Sequence, residues 1–171
     1  IKGKSLTERQ VNTCLLAEKY LSLDDQLTIG ACDNEVEYEE KVLESYIVNM
    51  DIIIWNFRNH KAVLKNYKMY GWVDLDSKGY VRKVSFKVQI SNNIIEEHAV
   101  LGAFTFKKAE YFFKYDQRII KKNRRVNNEF YLDVLVDECV GGLLKVVPFE
   151  VSKYFCHGTP LDLKAYLPKM H

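Results

Sequence analysis

The stretch "DIIIWNF", Asp51 to Phe57, constrains this chain more than any other. Its near-continuous apolar run, Ile52–Phe57, reads as a strand covered on both faces, because a half-solvated strand would alternate apolar and polar residues. Such a strand needs a layer on each side of its sheet. The flanks supply candidates. "SLTERQVNTCLLAEKYL" opens with the capping-box pattern Ser5-x-x-Glu8 and spaces Val11, Cys14, Leu15 and Leu21 along one side of a helix. It feeds a strand, Leu27–Cys32, and "EEKVLESYIV" then reads as a second, short helix before Ile52. The order helix, strand, helix, strand is α/β logic with at least part of the sheet parallel. At 171 residues and 47% apolar the chain can bury one core, so a single domain spanning 1–171 is expected.

Further along, "YGWVDLDSKGYVRKVSFKV" predicts a hairpin around the polar turn Asp76-Ser77-Lys78-Gly79. A strand over Ala99–Phe106 follows, then a helix from Lys107 with Ala109, Phe112, Phe113, Ile119 and Ile120 inward. Another helix spans roughly Glu129–Val140 and stops at Gly141-Gly142. Two short strands, "LKVVPF" and "VSKYFC", precede a last helix beginning near Pro160. There is no internal repeat, low-complexity segment or linker.

Several function classes are disfavoured at once. The longest apolar runs fall far short of the ~20 residues a transmembrane helix needs, so no membrane partner is expected. No stretch reads as a signal peptide. With 25 basic against 23 acidic residues the net charge is +2, too small for a whole-molecule field that would draw nucleic acid. Cys14, Cys32, Cys139 and Cys156 form no Cys-x-x-Cys pair and read as reduced thiols of a cytoplasmic protein.

The stretch "LTIGACDNEV" poses the functional question, because an apolar strand runs into Asp33-Asn34. In open α/β sheets ligands bind beyond the carboxyl ends of the strands, where a carboxylate is well placed to hold Mg²⁺. Asp-Asn also suits an ordinary Asx turn, and spacing alone leaves both readings open.

Read together and in order, "ACDN", "MYGWVDLDSKGYVRKVSFK", "AVLGAFTFKKAEYF", "RRVNNEFYLD" and "HGTPLDL" resemble the nucleotidyltransferase family that includes the sugar-1-phosphate nucleotidyltransferases and cytidylyltransferases. The resemblance covers nearly the whole chain. It implies a Rossmann-like fold with a mixed, mostly parallel sheet flanked by helices. It also implies a Mg²⁺-dependent enzyme that transfers a nucleotidyl group, cytidylyl among the options, from a nucleoside triphosphate such as CTP to a sugar phosphate or similar acceptor. Pyrophosphate is released, the product serves surface glycans such as capsular polysaccharide, and a homo-oligomer is compatible. Carried over by position, Asp33 is the metal-binding aspartate and Tyr70-Gly71 is where backbone approaches the acceptor. Lys87 neutralises the acceptor phosphate, and Glu129 is an acidic position beside the acceptor pocket. Asp162 is the nearest carboxylate for a second metal ligand.

The departures are as informative. Phe86 and Val88 flank Lys87 where the family has glutamate and proline, and Cys156-His157 precede Gly158-Thr159 where many members carry an aspartate. Arg9, Gln10 and Val11 stand where the family has small residues. The family's glycine-rich phosphate loop, ending in arginine with a lysine nearby, has no counterpart in these residues. The expectation is the acceptor-side part of a longer enzyme whose amino-terminal part lies elsewhere, or a naturally short, inactive relative. Two other classes stay open: a metal-dependent glycosyltransferase, for which Asp33-x-Glu35 is a loose Asp-x-Asp, and a non-catalytic nucleotide- or sugar-binding module. Elsewhere, "KKNRR" (121–125) reads as solvated cations at a helix carboxyl end rather than a phosphate site. His60, His98 and His171 read as surface residues, and Trp72 reads as core rather than a stacking platform.

Overall fold

The structure, a computed structural model, describes residues 10–88, 90–126 and 128–166; the Ser5-x-x-Glu8 capping box lies outside them. In chain order the elements begin with α1 (Gln10–Leu15), β1 (Leu27–Ile29), β2 (Asn34–Glu37), α2 (Glu40–Asn49) and β3 (Ile52–Phe57). Then come α3 (Ala62–Lys65), the hairpin β4 (Gly71–Leu75) and β5 (Val81–Phe86), and β6 (His98–Phe106). The chain continues through α4 (Ala109–Lys121), α5 (Leu132–Gly141), β7 (Val146–Glu150), β8 (Lys153–Cys156) and α6 (Pro160–Tyr166). Among the described residues no helix is long and apolar enough to cross a membrane.

The main sheet runs β5-β4-β6-β3-β7, with β1 also paired to β6, while β2 and β8 form a separate small sheet. All six residues of β3 are buried, as its apolar run requires. Ile52 and Ile54 join a core with Phe104, Phe106, Phe112 and Leu135 on one face, while Ile53, Trp55 and Phe57 join Trp72, Leu101 and Phe149 on the other. The fold is the expected mixed α/β, but among the described strands only β3 and β7 pair in parallel. β6 is antiparallel to β1, β3 and β4, and the hairpin β4-β5 is antiparallel by construction. Alternation of helices and strands predicts that layers exist; it does not fix the direction of a strand reached through a long connection such as the one before β6.

Helix α4 buries Ala109, Phe112, Phe113, Asp116 and Ile119 at helical spacing, but Ile120 is 40% exposed and falls off that stripe. The expected strand Leu27–Cys32 ends at Ile29, which releases Gly30 to Asp33 as a loop. The "KKNRR" cations are not simply solvated. Lys122 and Arg124 pair with Glu138, and Arg124 also meets Asp137, so they fasten α4 to α5. His98 is half-buried against Asn56 at 2.8 Å rather than on the surface, and burial holds its pKa below the ordinary histidine value.

Three strands are pinned at one buried hydroxyl. Thr105 Oγ1 accepts a 2.9 Å hydrogen bond from Trp55 Nε1 on β3 and lies 3.0 Å from Thr28 Oγ1 on β1. Thr105→Val preserves the shape but leaves a buried indole N–H unpaired, at a cost of roughly 1–3 kcal/mol. Thermal unfolding should show the midpoint falling by several degrees. An unchanged midpoint would mean that the Trp55 bond contributes nothing.

Candidate functional site

One edge of β6 pairs with β4 only at its start (His98, Ala99) and with β1 only at its end (Phe104–Phe106). Between them Val100, Leu101 and Gly102 border a pocket of about 310 Å³. On the opposite edge the β3–β6 register shifts between Ile54 and Asn56, a bulge of the kind that re-aims backbone beside sites. Gly102 has φ +77°, a left-handed conformation that glycine adopts without a Cβ penalty. The Leu101 carbonyl accepts a 2.9 Å hydrogen bond from Asn34 Nδ2. The side chain after Asp33 thus ties the Asp33 loop to β6.

Asp33 reaches the pocket through the small sheet. Asn34 pairs with Cys156, and beyond that pair His157 N donates to the Asp33 carbonyl at 2.8 Å. This places Gly158 against the Asp33 side chain. A Cβ on Gly158 would stand 3.1 Å from Asp33 Oδ2, so the glycine keeps that carboxylate face open.

The opposite wall comes from the hairpin and α5. Gly71 pairs with Phe86, and the next residues outward stay joined, with Lys87 N donating to the Tyr70 carbonyl at 3.2 Å. Lys87 has φ +57°, a conformation that costs a non-glycine residue energy and marks functional turns often enough to notice. Its ammonium lies 4.9 Å from the Phe86 ring centroid and 5.5 Å from that of Tyr131. Those contacts hold the charge by cation–π attraction at the pocket wall. Phe86, which stands where the resemblance expected glutamate, is therefore part of the lysine's seat. Tyr70 and Tyr154 also line the pocket, and burial raises the pKa of both hydroxyls.

Four of the six residues expected at a site, Asp33, Tyr70, Gly71 and Lys87, line this one pocket. Glu129 is not on its wall, but accepts a 2.5 Å hydrogen bond from the hydroxyl of the wall residue Tyr131. Asp162 is not on the wall of this pocket but lies 3.8 Å from the Sγ of its wall residue Cys156. It accepts from Thr159 Oγ1 at 2.6 Å at the start of α6, and lines a neighbouring cavity of about 210 Å³ that includes His60 and Lys65. Among the described residues no three His, Cys, Asp or Glu side chains gather to hold a metal ion.

Sequence reasoning missed Asp133. It is the second residue of α5, 8% exposed, and it lines the pocket. Burial pushes its carboxyl up to about 6, against the opposing pull of its own backbone amide and Lys87. Only the offset in "FYLD" hinted at it, since an acidic residue in a first helical turn ordinarily reads as a dipole partner.

No protein-family model and no curated protein sequence matches the chain. Its fold is nonetheless that of nucleotidyltransferases and nucleotide-sugar pyrophosphorylases, as comparison with solved structures shows. A nucleoside-diphosphate-sugar pyrophosphorylase from Vibrio cholerae superposes with a TM-score of 0.74 at 13% identity, over 96% of this chain and 66% of that one. The inositol-1-phosphate CTP transferase from T. maritima gives 0.63 at 14% identity, covering 91% and 58%. HddC from Yersinia pseudotuberculosis, complexed with GMP-PN, gives 0.56 at 15% identity, covering 91% and 60%. The chain thus spans about two thirds or less of the length of these structures.

The Gly71 contact yields a direct test. A Cβ there would sit 2.1 Å from Asp133 Oδ1 and 3.3 Å from Val100 Cγ2. Gly71→Ala should destabilise the fold by about 1–3 kcal/mol in chemical denaturation, because neither strand nor helix start can yield cheaply. If Gly71→Ala instead combines with Asp133→Gly to restore wild-type stability, the clash is with that carboxylate alone.

Proposed function

We propose that this chain carries the acceptor-binding side of a nucleotidyltransferase that moves a nucleotidyl group from a nucleoside triphosphate, CTP among the candidates, to a phosphorylated sugar or polyol. The observation that carries this reading is the convergence of Lys87, Tyr70-Gly71 and Asp33 on one pocket of a nucleotidyltransferase fold. The acceptor phosphate oxygen attacks the α-phosphorus, the bond to the β-phosphate breaks, and pyrophosphate leaves. No protein nucleophile is needed; the work is positioning and charge neutralisation. In this reading Lys87 meets the acceptor phosphate while its stem stays wedged against Phe86 and Tyr131. Tyr70-Gly71 lets backbone approach the acceptor.

Asp33, exposed at the pocket, suits the sparse binding mode of Mg²⁺, which takes one or two carboxylates and completes its shell with phosphate oxygens and water. The ion would supply charge for the reacting phosphates. Asp162, bonded to Thr159, has no part in this proposal. The acceptor product would feed a surface glycan in a cytoplasmic pathway.

Pyrophosphate release from each nucleoside triphosphate, assayed against a panel of sugar phosphates, tests the reaction class; release of a nucleoside diphosphate from a nucleotide sugar would instead make the chain a glycosyltransferase. Within an active pair, Lys87→Met should raise the acceptor KM or lower kcat by about 10–100-fold while nucleotide affinity stays unchanged. Equal loss toward both substrates would move Lys87 out of the acceptor site. Asp33→Asn should keep the fold and lose most Mg²⁺-dependent turnover, since an amide lacks the charge that draws the ion. Near-normal turnover at limiting Mg²⁺ would return Asp33 to a turn residue.

A further inference from the structure

The run "KKNRR" carries more charge than the fastening of α4 to α5 uses. Lys122 and Arg124 are committed to Glu138 and Asp137, whereas Arg125 is held by neutral groups. Its Nε donates to Asn123 Oδ1 at 2.8 Å, its Nη1 donates to the Asn128 carbonyl at 3.2 Å, and its guanidinium lies 4.4 Å from the Phe130 ring centroid. Asn123 and Asn128 both have left-handed backbone, φ +50° and +63°, so the turn that carries this arginine is shaped at both ends. A guanidinium fixed in this way is a preorganised fork, and a ligand that meets it loses little further freedom in the protein.

Arg125 borders a groove of about 380 Å³ where β5, residues 124–126 and α5 meet. Lys83, exposed and without an ion pair among the described residues, lines it too, and Val84, Val126 and Val134 supply an apolar surface. Among the described residues the one carboxylate on its wall is Asp137. Both of its oxygens are engaged, Oδ1 by Val84 N at 3.1 Å and Oδ2 by Arg124 Nη2 at 3.0 Å. Lys83, Arg124 and Arg125 against this one acid leave the groove net positive beside an apolar surface. Phe86 lines both this groove and the 310 Å³ pocket, so the two are neighbours with a shared side chain between them.

We propose that this groove is a second anion site, separate from the acceptor pocket, and that it takes an organic phosphate. Phosphoryl oxygens meet Arg125 and Lys83, and the carbon portion covers the valines. The inference goes beyond the acceptor-site reading and does not depend on it. A phosphoryl group suits the donors better than a carboxylate, because a guanidinium fork and an ammonium from two different elements can engage three oxygens rather than two. Inorganic phosphate alone would satisfy the cations but leave the apolar surface in water, which a ligand with a nonpolar part removes.

The test titrates phenyl phosphate and inorganic phosphate, in metal-free buffer, into wild type, K83M, R125M, R125K and K87M. Isothermal titration gives the affinities, thermal melts on the same samples check folding, and amide chemical shifts locate the ligand. Phenyl phosphate should shift the Val84 and Val126 amides, and should still do so in K87M, which lacks the charge of the acceptor pocket. K83M and R125M should each weaken this binding by about 5–20-fold, with R125K between R125M and wild type because it keeps the charge but loses the fork. Inorganic phosphate should bind about tenfold or more weakly than phenyl phosphate, the difference being the apolar contact. Unchanged affinity in folded K83M and R125K overturns the site. Loss of all binding in K87M, or shifts at Gly71 and Gly102 in place of Val84 and Val126, overturns it by putting the anion in the acceptor pocket. Inorganic phosphate bound as tightly as phenyl phosphate overturns the organic class. None of these results touches the acceptor-site reading, which stands or falls on the turnover of Lys87→Met.

Discussion

Strand β6 cannot be fully paired along one edge, and that constraint produces the pocket. β3 follows it on one side with a bulge between Ile54 and Asn56, but the other edge is shared between β4 and β1, which meet β6 at opposite ends. Backbone groups in the gap need partners, because a buried carbonyl left bare is costly. Asn34 answers for Leu101 with its side-chain amide, so satisfying the gap also delivers the loop that carries Asp33. The same hydrogen bond is at once a structural repair and the placement of the Asp33 carboxylate at the pocket.

The charge pattern inside the pocket follows from burial more than from composition. The chain is nearly neutral overall, yet the wall presents one ammonium held between two rings and two carboxylates that come from different elements. Lys87 takes a left-handed backbone to reach that position, a cost borne by the hairpin end. Burial strengthens the Asp133 charge toward a ligand and equally penalises it while unmatched, whereas Asp33 is exposed. That pairing of opposite signs in a small volume is what a phosphate ester with polar substituents would exploit.

Legibility from sequence followed the range of the forces involved. β3 was readable because six successive residues record burial on both faces, and α4 because Ala109, Phe112, Phe113 and Ile119 repeat at helical spacing. The β4–β5 hairpin was readable from its turn chemistry, which is local. Strand direction was not, since the orientation of β6 depends on pairings with β1, β3 and β4 that lie far apart in the chain. The same limit hid the use of Lys122 and Arg124, whose partners Asp137 and Glu138 come from the next helix. Asp33, Tyr70, Gly71 and Lys87 were nameable through motif order, whereas Asp133 needed Gly71 beside it, a contact between residues 62 positions apart. Asp162 was nameable only by its proximity to Gly158, while its bond to Thr159 Oγ1 depends on a side-chain direction the sequence does not record.

The pocket lies between two groups of elements, each held by its own contacts. Val84 N on β5 donates to Asp137 Oδ1 at 3.1 Å and ties α5 to the hairpin, while Lys122, aided by Arg124, ties α5 to α4 and holds the Glu138 carboxyl below the usual range. Asp133, Gly71 and Lys87 thus belong to elements bonded to one another. Asp33 and Gly158 flank the β2–β8 sheet, which is held to the main sheet through Asn34 and through the stacking of Tyr154 on Phe57 at 4.1 Å. Both walls are anchored on the main sheet, one through the hairpin and α5 and the other through Asn34 and the Tyr154–Phe57 stack, so packing on each side sets how far Asp33 stands from Lys87.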